Sequence, residues 1–199
     1  MIAMLGSVEA LAQARLATID LRKVFDGYWK TKQADGALKD RAADMEKEYN
    51  NMRDDLKKGR EDYQALLNSA NDQAVSSEER EKRKKNAEEK LRFLKQSEDS
   101  LIQYERQARA TLDEQRKRMR DNILGEIRTV LNAKAKTANV SMVIDVSSES
   151  ANNTPNVLYS NNENDMTQDI LSQLNAGAPV DAGKADEKKD EKKKDEKKK

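Results

Sequence analysis

The side chains in this sequence that could do chemistry are carboxylates, ammonium groups and guanidinium groups. It has no histidine and no cysteine. Thiol catalysis, disulfides, Cys/His zinc sites and His-dependent triads are therefore excluded. The Asp and Glu residues fall within long charged runs of helical pattern. There they read as solvated helix faces rather than as a paired general acid and base. No Gly-rich loop follows a strand-like segment, so nucleotide use has no support. Neither an enzymatic activity nor a cofactor or metal is expected.

Two basic clusters remain. "RKRMR", Arg116 to Arg120, is the denser one outside the C-terminal segment, and "REKRKKN" spans Arg80 to Asn86. Each reads first as a charged helix surface with i,i+4 partners, such as Glu114 with Arg118. The alternative is a basic wall, with Arg116, Arg118 and Arg120 attracting acidic segments or lipid phosphate. Aromatic residues are scarce. Phe25, Tyr28 and Trp29 sit close together near the start and are expected to pack under a sheet.

The elements that must position these residues are mostly helical. Charged residues make up 38% and apolar residues 36% of the chain, a balance that points to long helices or a coiled coil. Net charge is +1, so bulk charge does not argue for nucleic acid. A helix is predicted from about residue 22 to residue 71. Leu38, Met45, Met52, Gly59 and Leu66 recur every seven residues, as do Ala42, Tyr49, Leu56, Tyr63 and Ala70. Their alternating spacing keeps one stripe on one face. "SANDQAVSSEER" then breaks the pattern, and Ser76 with Glu79 forms a capping-box signature. A second helix is predicted to about Ala138, its stripe including Ala87, Leu91, Leu94, Leu101, Ile102 and Ala108.

Two helices joined by a short turn bury their stripes on each other and run antiparallel. A turn centred near Gln73 predicts Leu56 near Leu91, Met45 near Ile102, and Gly59 near Ala87. At about 1.5 Å per residue the arm would be on the order of 50 Å long. Its ends would bring together two β-like segments, Leu16 to Leu21 and Ser141 to Val146. "NVLYS", Asn156 to Ser160, offers a third short strand. "NDMTQDILSQL" reads as an amphipathic helix capped by Asp165, with Met166, Ile170, Leu171 and Leu174 on one side. This is a small core, and identical chains are expected to complete it.

Both termini differ from the rest. "MIAMLGSVEALAQA" resembles a clipped export leader ending in a small-x-small signature. From Val180 the chain holds nine lysines and seven acids. Such a segment is expected to stay disordered, with a weak tether to anionic lipid as the functional alternative.

The order "LATIDLRKVFDGY", charged hairpin, "VSMVIDVSS" and "VLYSNNENDMTQDIL" resembles the Skp (OmpH-like) family of periplasmic chaperones over about Arg15 to Leu174. The resemblance implies a mainly α fold, with a long antiparallel helical hairpin, or coiled-coil tentacle, on a small β-rich trimerisation body. It implies domains at residues 15–30 and 120–178 (body) and 31–119 (hairpin); the residues themselves add an expected leader at 1–14 and tail at 179–199. It further implies a homotrimer that holds unfolded outer-membrane β-barrel proteins in a cavity without ATP. Met45, Tyr49, Met52, Leu56, Tyr63, Arg116, Arg118 and Arg120 are then the expected client-binding residues. Ile19, Leu21, Phe25, Met142, Ile144, Val146, Leu158 and Ile170 are the expected oligomerisation residues. The competing expectation is a coiled-coil spacer of the cell envelope. Two features depart from the family pattern as known: near-neutral charge and the Lys/Glu/Asp tail.

Overall fold

The computed structural model describes residues 15–179. The predicted leader and nearly all of the charged tail lie outside them. The described elements are β1 (Leu16–Ile19), α1 (Leu21–Gly27), α2 (Trp29–Ala70), α3 (Ser77–Thr137), β2 (Met142–Asp145) and α4 (Thr167–Asn175). The fold is mainly helical, with one small parallel strand pair. The described residues divide into two compact units, 15–34 with 119–179, and Asp35–Arg118.

In the first unit, β1 and β2 pair in parallel from Leu16↔Met142 to Ile19↔Asp145. Parallel pairing requires a long crossover. Residues 20–141 supply it. The other side of β1 is bridged at Thr18↔Asp165. There the Thr18 N–H donates to the Asn164 carbonyl, and the Met166 N–H donates to the Thr18 carbonyl. The expected third strand at 156–160 does not form. Both edges of β1 are taken, and this segment forms no ladder with β2. Instead, a small turn is closed by the bridge Glu149↔Pro155.

The predicted single helix from residue 22 is divided at Tyr28, which is extended at φ −73°, ψ 128°. Neither proline nor a left-handed glycine makes this break. Burial does: Val24 and Tyr28 enter one cluster with Ala17, Ile19, Ile127 and Ile170. Full burial of an aliphatic side chain of this size is worth about 1.5–3 kcal/mol. The start of α1 is fixed by Asp20, whose carboxylate accepts from the Lys23 N–H at 2.8 Å. Gly27 lets α4 lie close, because a Cβ there would sit 3.0 Å from the Leu171 side chain.

The end of α3 carries a signal that the sequence reading passed over. Asn139 is left-handed at φ 51°. The Val140 N–H donates to the Ala135 carbonyl and the Asn139 N–H to the Lys136 carbonyl, the paired bonds of a Schellman stop. At the start of α4, Asp165 accepts from the Thr167 N–H at 2.8 Å. It does so one residue before the formal cap, which is Met166.

In the second unit, α2 and α3 form an antiparallel pair whose register differs from the predicted one. A Cβ on Gly59 would lie 2.8 Å from Leu94 Cδ2, so Gly59 faces Leu94 rather than Ala87. Tyr104, not Ile102, reaches Met45, and Ile102 is 55% exposed. Part of the offset is physical and general. Side chains lean toward the N-terminus of their own helix. In an antiparallel pair the residues that touch are therefore displaced toward higher numbers on the second helix. Ser76 accepts from the Glu79 N–H as predicted, but the Glu79 carboxylate takes Arg83 instead of completing the box.

Candidate functional site

The hairpin seam is thin. Leu56, Ala70, Ala87 and Leu94 are its buried apolar residues, and Gly59 gives Leu94 its place. Met45, Tyr49, Met52 and Tyr63 are only half-buried along it. Ion pairs flank the seam, Lys90 with Asp62 at 2.9 Å and Arg60 with Glu98 at 2.6 Å. Near the tip, Arg83 donates to the Ser69 carbonyl at 3.1 Å, tying the last turn of α2 to α3. Of the residues expected to meet a ligand, Leu56 is thus committed to the seam. The other four apolar ones keep part of their surface in water.

The basic cluster is not brought onto that stripe. Arg116 pairs with Asp113 at 3.2 Å and Arg118 with Glu114, both within α3. These are exposed i,i+3 and i,i+4 pairs, while Arg120 stands exposed nearby. The solvated-surface reading accounts for this geometry. Sequence reasoning missed Phe93, which lies 61% exposed outside the seam. Its signal was available: it falls out of step with the Ala87, Leu91, Leu94 pattern, so a helical stripe that buries Leu94 must expose it.

The first unit has one closed face and one open face. Ile19 and Ile170, both expected at a subunit contact, belong to the closed core of the single chain. Leu21 and Phe25 are partly buried against that core. Val146 is half-buried. The remaining three are open: Met142 is 57% exposed, Ile144 36% and Leu158 85%. Leu16 and Tyr159 are exposed as well, and with Ile144 and Val157 they line an open groove of about 1300 Å³. Parallel strands are ordinarily covered on both faces. Here one face is left bare.

A polar cluster lies on the closed side. Tyr28 donates to Glu126 Oε2 at 2.5 Å, and Lys30 Nζ lies 2.9 and 2.8 Å from the two Glu126 oxygens. The hydrogen bond from Lys30, then that from Tyr28, holds the Glu126 carboxyl below its ordinary range. Burial, followed by the bond to Glu126, raises Tyr28. The arrangement fastens α2 to α3 within this unit. Among the described residues no group of acidic side chains is placed to hold a metal ion.

The sequence profile of outer membrane proteins of the OmpH-like type matches residues 15–174. The chain belongs to the OmpH-like family. The matched span runs from just before β1 into the last turn of α4, so it includes both units. The fold is similar to the 2.83 Å crystal structure of a candidate outer membrane chaperone (OmpH-like) from Caulobacter crescentus CB15. The two share 16% identity at a TM-score of 0.55, over 83% of this chain and 86% of that one. Among curated proteins, none matches the chain in sequence. In this family member no described helix is long and apolar enough to cross a membrane.

Proposed function

We propose that this OmpH-like chain is an ATP-independent holdase of the periplasm that shields unfolded outer-membrane β-barrel proteins from aggregation. The observation that carries the proposal is the family match across both the hairpin and the body, residues 15–174. The related chain from Caulobacter, described as a chaperone, supports the same reading. The half-buried Met45, Tyr49, Met52 and Tyr63 suit it physically. Methionine and tyrosine at a partly open seam make weak, adaptable contacts. Many such contacts retain an unfolded chain without imposing one shape on it. Nothing in that mechanism requires nucleotide. Arg116, Arg118 and Arg120 belong to the proposed client surface as a secondary, electrostatic contribution, and the lysine-rich tail as a weak contact with anionic lipid.

The proposed working form is a homotrimer in which hairpins enclose a client cavity. The bare sheet face, with Met142 and Ile144, and the exposed Leu158 support a contact between copies in this unit, because an open parallel face is costly for a single chain. The competing spacer role gains no support from the family match. The test is light scattering from a urea-unfolded outer-membrane barrel protein diluted into buffer. Substoichiometric trimer is expected to suppress the scattering without nucleotide. No suppression at a threefold molar excess of trimer would remove the proposal.

A further inference from the structure

The open side of the β1–β2 pair lies at the start of the described chain. Ala17 and Ile19 belong to the core, and Leu16, Thr18 and Ile144 stand on the other side. With Val157 and Tyr159 these three line the groove of about 1300 Å³, and Tyr159 is 83% exposed. Arg15 lines it too. The Arg15 carbonyl accepts from the Ser141 N–H at 2.8 Å, which fixes the backbone there. Residue 14 is joined to that fixed point, so whatever precedes β1 leaves from the groove itself.

Charge does not select the occupant. Lys134 is paired with Asp169 at 2.9 Å, and Asp165 accepts from the Thr167 N–H at 2.8 Å. Arg15 and Glu163 are exposed to water. An apolar segment can therefore cover Leu16, Ile144 and Tyr159 without stripping a charge of its partner. Two stretches of the chain lie outside the described residues. Residues 1–14 carry Met1, Ile2, Met4, Leu5, Val8 and Leu11, with Glu9 as their one charged side chain. After Val180 the other stretch has no apolar residue larger than Ala among its nine lysines and seven acids. Of the two, the first has apolar surface to bury and the second has almost none.

Resting on the proposed contact between copies, we infer that residues 1–14, while attached, lie in this groove and occupy the face that a second copy would otherwise cover. An open parallel face calls for a cover. A tethered segment has the advantage in supplying it, because a short tether sets an effective concentration of about 1 mM, well above that of a separate copy at micromolar concentration. The segment needs no linker to reach the groove, since it starts there. Its removal, as expected of an export leader, frees Leu16, Ile144 and Tyr159 for a neighbouring chain. Assembly is thereby tied to cleavage. A chain that keeps the segment stays single, and a chain that loses it joins its copies.

A protease site inserted after Ala14 of the full chain lets one preparation yield both forms. Sedimentation at micromolar concentration is expected to give a single chain before the cut and the assembled form after it. The concentration for half assembly should fall at least about tenfold on cutting, as a tethered competitor is lost. Docking is read separately. The chain has no native cysteine, so a spin label can be placed through Leu5→Cys, with Ala185→Cys as the control. In the uncut chain the label at position 5 is expected to broaden the backbone amide signals of Ile144 and Tyr159, and the control to leave them sharp. Leu5→Asp combined with Leu11→Asp should let the uncut chain assemble, since a carboxylate in the groove loses its water. An uncut wild-type chain that assembles as readily as the cut one overturns the inference. So do sharp signals with the label at position 5, and a double variant that stays as single as the wild type. Failure of both cut and uncut forms to assemble overturns the contact between copies instead, and the label alone then decides whether the segment lies in the groove.

Discussion

Asn175 accepts the backbone N–H of Trp29 through its Oδ1 at 3.0 Å. Its Nδ2 donates to the Gly27 carbonyl, also at 3.0 Å. One side chain of α4 thus satisfies the main chain on both sides of the break between α1 and α2. Asn175→Ala is expected to cost about 1–3 kcal/mol, because two partly buried backbone groups lose their partner. Asn175→Asp retains the acceptor and should fall between the two. Urea unfolding followed by circular dichroism measures both; equal stability of wild type and Asn175→Ala would show that water replaces the amide.

The Tyr28–Lys30–Glu126 cluster sets a pH dependence. Glu126 lies below its ordinary 4.5, through Lys30 first and Tyr28 second. Its contribution is present above that ordinary value and is lost as pH falls through the lower folded value. Lys30 lies above 10.5 through its bond to Glu126, and Tyr28 lies above 10.0 through burial first. Their contributions are present below those values and are lost as pH rises through the higher folded ones. The thermal midpoint should therefore be flat from about pH 5 to about pH 9.5 and fall on either side. Glu126 and Lys30 are each 41% exposed, so Glu126→Gln should lower stability within that pH range by only about 0.5–1 kcal/mol. It should also reduce the acid limb of a midpoint-against-pH scan.

The helical glycines divide into two kinds. A Cβ at Gly36 or Gly125 meets nothing within 4 Å. Alanine at either should stabilise the chain by about 1 kcal/mol. At Gly59 the added methyl would press on Leu94 at 2.8 Å. Gly59→Ala gains the same propensity but displaces Leu94, and overpacking costs about 1–3 kcal/mol. A double-mutant cycle with Leu94→Ala should recover the propensity gain; additive effects would mean that Leu94 moves freely.

The open and closed faces of the body should respond differently to substitution. Ile170→Ala empties a fully buried site and is expected to cost about 2–5 kcal/mol in denaturant. Ile144→Lys and Leu158→Ser change exposed positions, so helicity should hold while sedimentation shows the proposed trimer falling apart. Unaltered assembly in both variants would place the contact between copies elsewhere.

Long-range order was legible where periodicity carried it. The heptad stripe of Leu38 to Ala70, the break after Ala70, the Ser76 cap and the two matched β segments follow from spacing alone. The break at Tyr28 was not legible, because α1 and α2 are each good helix and only the burial of Tyr28 with Ile127 and Ile170 separates them. Leu158 and Tyr159 look like strand by composition, yet a strand needs a partner edge, and residue types do not say whether one is free. The seam register was missed by several residues because a turn centre fixes where helices reverse, not how far their side chains lean. Of the expected site residues, Leu56, Ile19 and Ile170 are buried within the single chain. Buried and binding apolar positions share one composition, and only packing tells them apart.

The parallel pairing of β1 with β2 also governs timing. Ile19 and Ile170 belong to one cluster, yet roughly 150 residues separate them along the chain. At about 5–20 residues per second of synthesis, on the order of 8 to 30 s pass between their appearance. For most of that interval the first strand lacks its neighbour β2, and throughout it lacks its covering helix α4. The body of a polypeptide ordered in this way cannot close before α4 leaves the ribosome.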